Sequence, residues 1–186
     1  MLIGFSGTQC SGKSTLLQHL KDKNPDWNII MGEDGVVRKL KKEYGITINQ
    51  NGGFDTQLLI TAQHVANIYK SSKLNTMVDR CVFDSFAYAL HTGCFFSSLE
   101  IKKAYELTRD VFEMNYKKYD KIFLMNPDDV TLEEDGVRSN DPEYRKQIHD
   151  CFQLILDHYK MDNVIVVSGT VQERLEQIKE KIDVEI

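Results

Sequence analysis

Gly7, Gly12, Lys13 and Ser14 stand near the amino terminus in the spacing G-x-x-x-x-G-K-S. Glycines at these positions let the backbone turn tightly, so that successive N–H groups point at phosphate oxygens, and the helix that follows adds a partial positive charge. In this arrangement the lysine reaches the β- and γ-phosphates of a nucleotide, and the serine hydroxyl holds Mg²⁺. The spacing predicts a phosphate-binding loop made of Gly7, Thr8, Gln9, Cys10, Ser11, Gly12, Lys13, Ser14 and Thr15.

A carboxylate and a guanidinium, Asp79 and Arg80, come directly after the apolar run Thr76-Met77-Val78. Asp79 can bind Mg²⁺ through water, which pairs it with Ser14 as a predicted metal ligand, or it can accept the proton of a hydroxyl group. Arg80 can hold a phosphate or steady a phosphoryl acceptor. The alternative interpretation of the pair is a structural ion pair at the end of a strand.

The segment Asp135-Gly136-Val137-Arg138 is polar, and Arg145 and Lys146 follow it in the next predicted helix. A polar loop that carries an arginine is what a closing lid needs, because closure brings the positive charge to the transferred phosphoryl group and excludes water. We therefore predict a lid at about residues 128–146 with Arg138 as a catalytic residue. An ordinary solvated loop is the alternative.

Glu33 follows a second short apolar run, and Arg38 lies five residues further on. A carboxylate at the carboxyl end of a parallel strand lies on the edge where α/β sheets bind their ligands. Glu33 is therefore a candidate general base towards an acceptor hydroxyl, as is Asp79. A surface carboxylate with no role in catalysis is the competing explanation.

These residues need a framework of alternating strands and helices to bring them together. Apolar runs predict strands at 2–6, 28–31, 76–85, 121–125 and 163–167, and helical spacing predicts helices at 13–22, 58–72, 86–92, 98–119, from 142 and from 171. Another helix is expected to begin at Val36. Alternation of this kind implies a mainly parallel sheet covered on both faces. We expect one three-layer α/β/α domain over residues 1–186.

Composition narrows the classes of protein to consider. The chain has 186 residues, of which 41% are hydrophobic and 27% are charged, and its net charge of −5 argues against a protein that mainly grips nucleic acid. No apolar run approaches the ~20 residues that span a bilayer, and the amino terminus has no signal-peptide layout. Its four cysteines are scattered, which indicates reduced thiols and favours a cytoplasmic location.

Four segments together resemble a known family. They are Gly7 to Thr15, Asp79 to Asp84, Asp135 to Arg138, and Val166 to Thr170 ahead of Glu173-Arg174. On these segments the chain resembles small P-loop nucleoside and nucleotide kinases related to thymidylate and deoxynucleoside kinases, and more closely the nicotinamide-riboside-kinase-like ATPase/kinase family.

The resemblance implies a five-stranded parallel sheet, a central P-loop strand and an Arg-bearing lid. It also implies an adenine-binding turn at Ser168, Gly169 and Thr170, and it places Glu33 at the base position and Gln63 against the acceptor's base. The substrate residues predicted on this basis are Glu33, Arg38, Gln63, Arg80 and Asp84.

The sequence thus predicts an ATP- and Mg²⁺-dependent kinase that phosphorylates a nucleoside, a nucleotide or a related small acceptor, with Lys13, Asp79, Arg80, Glu33 and Arg138 as catalytic residues. One alternative is a kinase for a modified base or an end in DNA, although nucleic acid is not the favoured partner. Another is a regulatory P-loop ATPase with no phosphoryl acceptor. No membrane partner is expected, and the protein is expected to be a monomer or a homodimer.

Overall fold

The computed structural model of the chain describes residues 1–46, 53–71, 74–95, 98–130 and 141–186, apart from the side chains of Glu33 and Phe95. Its five strands are β1 Leu2–Ser6, β2 Asn28–Ile30, β3 Thr76–Asp79, β4 Lys121–Met125 and β5 Val164–Val167. The helices in the described residues are α1 Lys13–Lys23, α2 Val36–Tyr44, α3 Phe54–Lys70, α4 Val82–Phe95, α5 Leu99–Asn115, α6 Pro142–Tyr159 and α7 Val171–Lys179.

The five strands form one parallel sheet in the order β2-β3-β1-β4-β5. Strand β1 is central, so the phosphate-binding loop that follows it leaves the middle of the sheet's carboxyl edge. Because each strand is parallel to its neighbours, the segments after β2 and β3 reach the same edge. The predicted α/β class, the five parallel strands and the central P-loop strand are confirmed.

Alternate residues of the strands build two separate cores. Leu2 and Val78 face a core shared with α3, α4, α5 and α6, whereas Ile3 and Phe5 face a second core shared with α1 and α7. This alternation follows from the two-residue period of a strand. Helices therefore cover both faces of the sheet, which confirms the three-layer architecture.

The segment after Asp79 differs from the sequence-based expectation. We predicted a strand over 76–85 and a short helix over 86–92, but β3 ends at Asp79 and α4 occupies Val82–Phe95. Arg80 has a left-handed φ of 72°, which turns the chain sharply away from the sheet. The Asp84 carboxylate then accepts the Cys81 N–H at 3.0 Å, as in one half of a capping box. A short apolar run fits a buried helix as well as a strand, and this side chain decides between them.

The other predicted elements need smaller corrections. The helix expected over 98–119 ends at Asn115 and continues only as the 3₁₀ turn Tyr116–Lys118, while Ser98 caps it by accepting the Ile101 N–H at 3.2 Å. Helix α3 begins at Phe54, one turn before the predicted start. No helix among the described residues is long and apolar enough to cross a membrane.

Candidate functional site

The loop between β1 and α1 has the backbone of an anion site. Gly7 and Gly12 have φ values of 137° and 83°, which side chains other than glycine rarely adopt. A Cβ on Gly7 would also lie 3.2 Å from the Met125 carbonyl oxygen. Within the described chain, no side chain caps the start of α1 at Gly12. The N-terminal N–H groups of α1 and its dipole are therefore presented to an anion.

Lys13 lies inside this loop and only 6% of it is exposed. Its Nζ donates to the carbonyl oxygens of Gly7 at 3.1 Å and Thr8 at 2.6 Å, and to Ser11 Oγ at 2.9 Å. These bonds hold the ammonium group at the centre of the loop, where an anion bound to the backbone N–H groups would meet a positive charge.

Ser14 and Asp79, the two predicted metal ligands, bring oxygen atoms close together at the sheet edge. Ser14 Oγ lies 3.4 Å from Asp79 Oδ2, and Asp79 Oδ1 is buried with no hydrogen-bond partner in the described part of the chain. Octahedral Mg²⁺ takes oxygens at about 2.0–2.1 Å and usually binds one or two protein groups together with substrate phosphates. The hydroxyl, the carboxylate and its unused oxygen fit that ion. The described residues contain no cluster of three or more His, Cys, Asp or Glu side chains that could hold a metal alone.

Asp84 joins the start of the phosphate-binding loop to the turn after β3. It is 2% exposed and accepts from Ser6 Oγ at 2.7 Å, the Gly7 N–H at 3.3 Å, the Cys81 N–H at 3.0 Å and Arg80 Nη1 at 3.0 Å. Arg80 Nη1 also donates to the Gly7 carbonyl at 3.2 Å. The substrate contact predicted for Asp84 stays a prediction, whereas these contacts give Asp84 a positioning role.

The Arg80 guanidinium extends this network to Tyr88 on α4. It lies 5.2 Å from the centre of the Tyr88 ring, and Tyr88 OH donates to Gln9 Oε1 in the phosphate-binding loop at 3.2 Å. Burial by itself would lower the pKa of Arg80, but Tyr88, Asp84 and Asp79 raise it above its ordinary value. Arg80 therefore stays charged and has a fixed position beside Asp79.

Helix α3 brings to the same region a residue that was not predicted from the sequence, His64. His64 is 1% exposed, and neither ring nitrogen has a hydrogen-bond partner among the residues that the structure describes. Burial lowers the pKa of His64 to about 3; Arg80 also lowers it and Asp79 raises it. Gln63, predicted to contact the acceptor, donates from Nε2 to Asn67 Oδ1 at 3.1 Å within its own helix.

The remaining predicted acceptor and lid residues are placed only in part. Glu33 lies in the 3₁₀ turn Gly32–Asp34 after β2, at the carboxyl edge of the sheet as predicted. Arg38 is exposed on α2. Arg138 and most of the predicted lid lie outside the described residues. Arg145, by contrast, is buried and donates from Nη2 to the carbonyl oxygens of Pro127 and Val130.

The turn between β5 and α7 meets the phosphate-binding loop through Arg174. This side chain is 2% exposed and donates to the carbonyl oxygens of Gly169 at 3.0 Å, Ser11 at 2.7 Å and Asn126 at 3.2 Å, and to Asp129 Oδ2 at 3.0 Å. Asp129 Oδ2 also accepts the Gly169 N–H at 2.8 Å. No role was predicted for Arg174 from the sequence. A cation in the first turn of a helix opposes the helix dipole, and its position there was a signal that it pairs with groups elsewhere in the fold.

Ser168, Gly169 and Thr170 form the turn predicted to bind adenine. Gly169 has a φ of 97°, and Thr170 and Glu173 close a complete capping box at the start of α7. Hydrogen bonds from the backbone and side chain of Thr170 lower the pKa of the exposed Glu173 carboxyl. The turn is therefore a fixed feature beside the phosphate-binding loop, while its contact with adenine stays a prediction.

Comparison with known proteins places the chain in a family. A family model described as an AAA domain matches residues 2–174. No curated protein matches the sequence.

Several solved structures have the same fold. NadR in complex with NAD and AMP-PNP superposes with a TM-score of 0.72 at 15% identity over 100% of this chain. The present chain spans about half the length of the NadR chain, 50% of it. Thymidylate kinase from Candida albicans gives a TM-score of 0.67 at 19% identity, covering 96% of this chain and 89% of the kinase. Deoxyadenosine kinase from M. mycoides, with dCMP and dCDP bound, gives 0.64 at 17% identity, covering 97% and 98%. The chain thus has the fold of P-loop nucleoside and nucleotide kinases.

Proposed function

The chain belongs to the AAA-domain family, and from that premise we propose that it is an ATP-dependent kinase for a nucleoside, a nucleotide or a related small acceptor. The observation that carries the proposal is the position of Asp79. One of its carboxylate oxygens lies 3.4 Å from Ser14 Oγ, and the other is buried without a partner among the described residues. The same carboxylate can therefore serve the donor's phosphates and an acceptor.

Each half of the site has its own residues under this proposal. The phosphate-binding loop and Lys13 bind the β- and γ-phosphates, and the turn Ser168–Thr170 takes the adenine. Ser14 and Asp79 hold Mg²⁺, which neutralises charge on the phosphates when it is bound. Glu33, Arg38 and Gln63 remain the proposed acceptor side, and Arg138 the proposed lid cation. The superposition on NadR and on two nucleoside or nucleotide kinases supports the kinase-like fold on which this division is proposed.

The chemistry requires little beyond positioning and charge neutralisation. The acceptor oxygen bonds to the γ-phosphorus while the bond to the β,γ-bridging oxygen breaks, so that ADP leaves. The acceptor proton passes to a carboxylate, for which Asp79 and Glu33 are the two candidates. Arg80 is fixed by its ion pair with Asp84 and remains a proposed catalytic residue that steadies the acceptor. The cytoplasmic location and the oligomeric state stay predictions.

A transfer assay with γ-labelled ATP tests the proposal. The acceptor panel contains free nucleosides, nucleoside monophosphates and DNA ends, with and without Mg²⁺. We expect wild-type protein to label at least one small acceptor, and Lys13→Ala to reduce transfer at least about a hundredfold, because Lys13 supplies the charge at the transferred group.

Lys21→Ala is the matched control for that variant, since Lys21 is an exposed lysine at the other end of α1. It should leave transfer unchanged, and thermal unfolding should show that both variants are folded. Steady ATP hydrolysis that no acceptor alters would contradict the proposal and favour a regulatory ATPase. Labelling of DNA ends alone would identify the DNA kinase instead.

A further inference from the structure

Buried polar atoms without partners concentrate at the carboxyl edge of the sheet. Of the nine such side-chain atoms among the described residues, six lie on the elements that meet around Asp79. These six are Thr8 Oγ1, Gln9 Nε2, both ring nitrogens of His64, Asp79 Oδ1 and Ser85 Oγ. Each buried polar atom without a partner destabilises a fold by about 1–3 kcal/mol. A group of them at one place therefore indicates a ligand that supplies the missing partners.

His64 stands out within this group. Its helix neighbours on the buried face are paired: Thr61 Oγ1 donates to the Gln57 carbonyl at 2.7 Å, and Asn67 Oδ1 accepts from Gln63. Both nitrogens of His64 lack a partner in the described chain, although the residue is as buried as Thr61. A leucine of similar volume would leave no polar atom unpaired at this position.

A second buried histidine, His91, has the contacts expected of an imidazole with a structural role. His91 on α4 is also buried, but its Nε2 lies 2.9 Å from Gln147 Oε1, and its ring packs edge-on against Tyr144. The contrast between His91 and His64 indicates that the ring nitrogens of His64 form hydrogen bonds to a ligand rather than to the described residues.

The charged groups around His64 limit the charge that such a ligand can carry. The charged groups that interact with it are Arg80 and Asp79. Arg80 already pairs with Asp84 at 3.0 Å, so this ion pair has no net positive charge. The charge that remains near His64 is the negative charge of the Asp79 carboxylate. Under the proposed function Lys13 and Mg²⁺ serve the phosphates of ATP, so an acceptor phosphate beside His64 would find no further cation beyond the paired Arg80 among the described groups that interact with this ring. An uncharged hydroxyl needs none, and it can both donate and accept hydrogen bonds.

We propose that His64 is an acceptor-binding residue whose imidazole hydrogen-bonds a hydroxyl of an uncharged nucleoside, so that the enzyme prefers nucleosides to nucleoside monophosphates. This inference rests on the proposed kinase function. Gln57 joins α3, the helix that carries His64, to the start of α4, because its Nε2 donates to the Ser85 carbonyl at 2.8 Å. The role of His64 is hydrogen bonding alone, and the acceptor proton goes to the carboxylate base.

The test compares His64→Leu, His64→Gln and His91→Leu in the full chain. For His64→Leu we expect kcat/KM for a nucleoside to fall about tenfold to a hundredfold, because a buried hydrogen-bond partner of the substrate is lost. KM for ATP should change less than about twofold, since the phosphate-binding loop is untouched. His64→Gln keeps one donor and one acceptor and should restore most of the activity.

Unfolding without ligand separates this role from a structural one. His64→Leu should unfold at the wild-type temperature or above it, because it removes two unpaired buried nitrogens. His91→Leu should unfold at a lower temperature with unchanged kinetics for the nucleoside. Lower stability of His64→Leu with unchanged acceptor kinetics would overturn the inference and leave the kinase intact, as would a wild-type preference for nucleoside monophosphates. Wild-type protein that binds ATP but labels no acceptor would overturn the proposed function and, with it, the role of His64.

Discussion

Replacing Arg174 with methionine tests the link between the turn Ser168–Thr170 and the phosphate-binding loop. The substitution removes donors from the carbonyl oxygens of Ser11, Gly169 and Asn126 and leaves Asp129 without its ion-pair partner. Breaking a buried ion pair by removing one partner costs about 3–5 kcal/mol. Asp129 is 21% exposed and regains some hydration, so the cost belongs at the lower end, about 3 kcal/mol.

This free energy has a measurable consequence in thermal unfolding. For a chain of 186 residues, 1 kcal/mol changes the unfolding temperature by about 2–4 °C, so Arg174→Met should unfold about 6–12 °C below wild type. Because the loop loses its connection at Ser11, KM for ATP should rise about fivefold or more, with a smaller change in KM for the acceptor. Circular dichroism and steady-state kinetics measure the two effects.

Two further variants make the result specific. Arg109→Met removes an arginine whose ion pair with Asp110 is exposed to solvent, and it should leave the unfolding temperature close to that of wild type. Asp129→Asn keeps an acceptor for Arg174 and should fall between the two. If Arg174→Met unfolds at the same temperature as Arg109→Met, the structural importance assigned to Arg174 is wrong.

The remaining predictions concern the loop, the metal and the buried histidine. Asp84→Asn replaces a carboxylate that accepts four hydrogen bonds with an amide that presents an NH₂ group to some of those donors. It should lower the free energy of unfolding, measured in urea, by about 2–4 kcal/mol. An unchanged free energy of unfolding would contradict the positioning role of Asp84. Ser14→Ala should raise the Mg²⁺ concentration needed for half-maximal activity, and an unaltered Mg²⁺ titration would exclude the Ser14–Asp79 pair as the metal site. The folded-state pKa of His64 is about 3, below the unfolded value of about 6.5, so the unfolded chain binds a proton that the folded chain does not. The contribution of His64 to the free energy of unfolding is therefore present above pH 6.5 and is lost as the pH falls, by about 1.5 kcal/mol between pH 6.5 and 5. Urea unfolding of His64→Leu should lack this decrease. An identical pH dependence in wild type and variant would refute the low pKa.

Local patterns predicted most of the fold. The spacing from Gly7 to Ser14 depends only on neighbouring residues, and it predicted the loop whose backbone angles and buried lysine the structure has. Alternation of short apolar runs with helical periodicity predicted the five parallel strands. The run after Asp79 was the main error, because its apolar pattern suits a strand and a helix alike. A left-handed residue at Arg80 and a side-chain cap from Asp84 decided for the helix.

The sequence by itself thus determined the phosphate-binding loop, the class of fold and the sheet edge at which Asp79 and Glu33 lie, because each depends on short-range spacing. Only the tertiary structure decided which distant groups complete the site. Arg174 reaches Ser11 across 163 residues of chain, and Asp84 reaches Ser6 across 78. The unpaired state of His64 likewise exists only once α3 packs against α4 and α5 and the ring is buried. Burial and long-range hydrogen bonding belong to the folded chain as a whole, so no local pattern could reveal them.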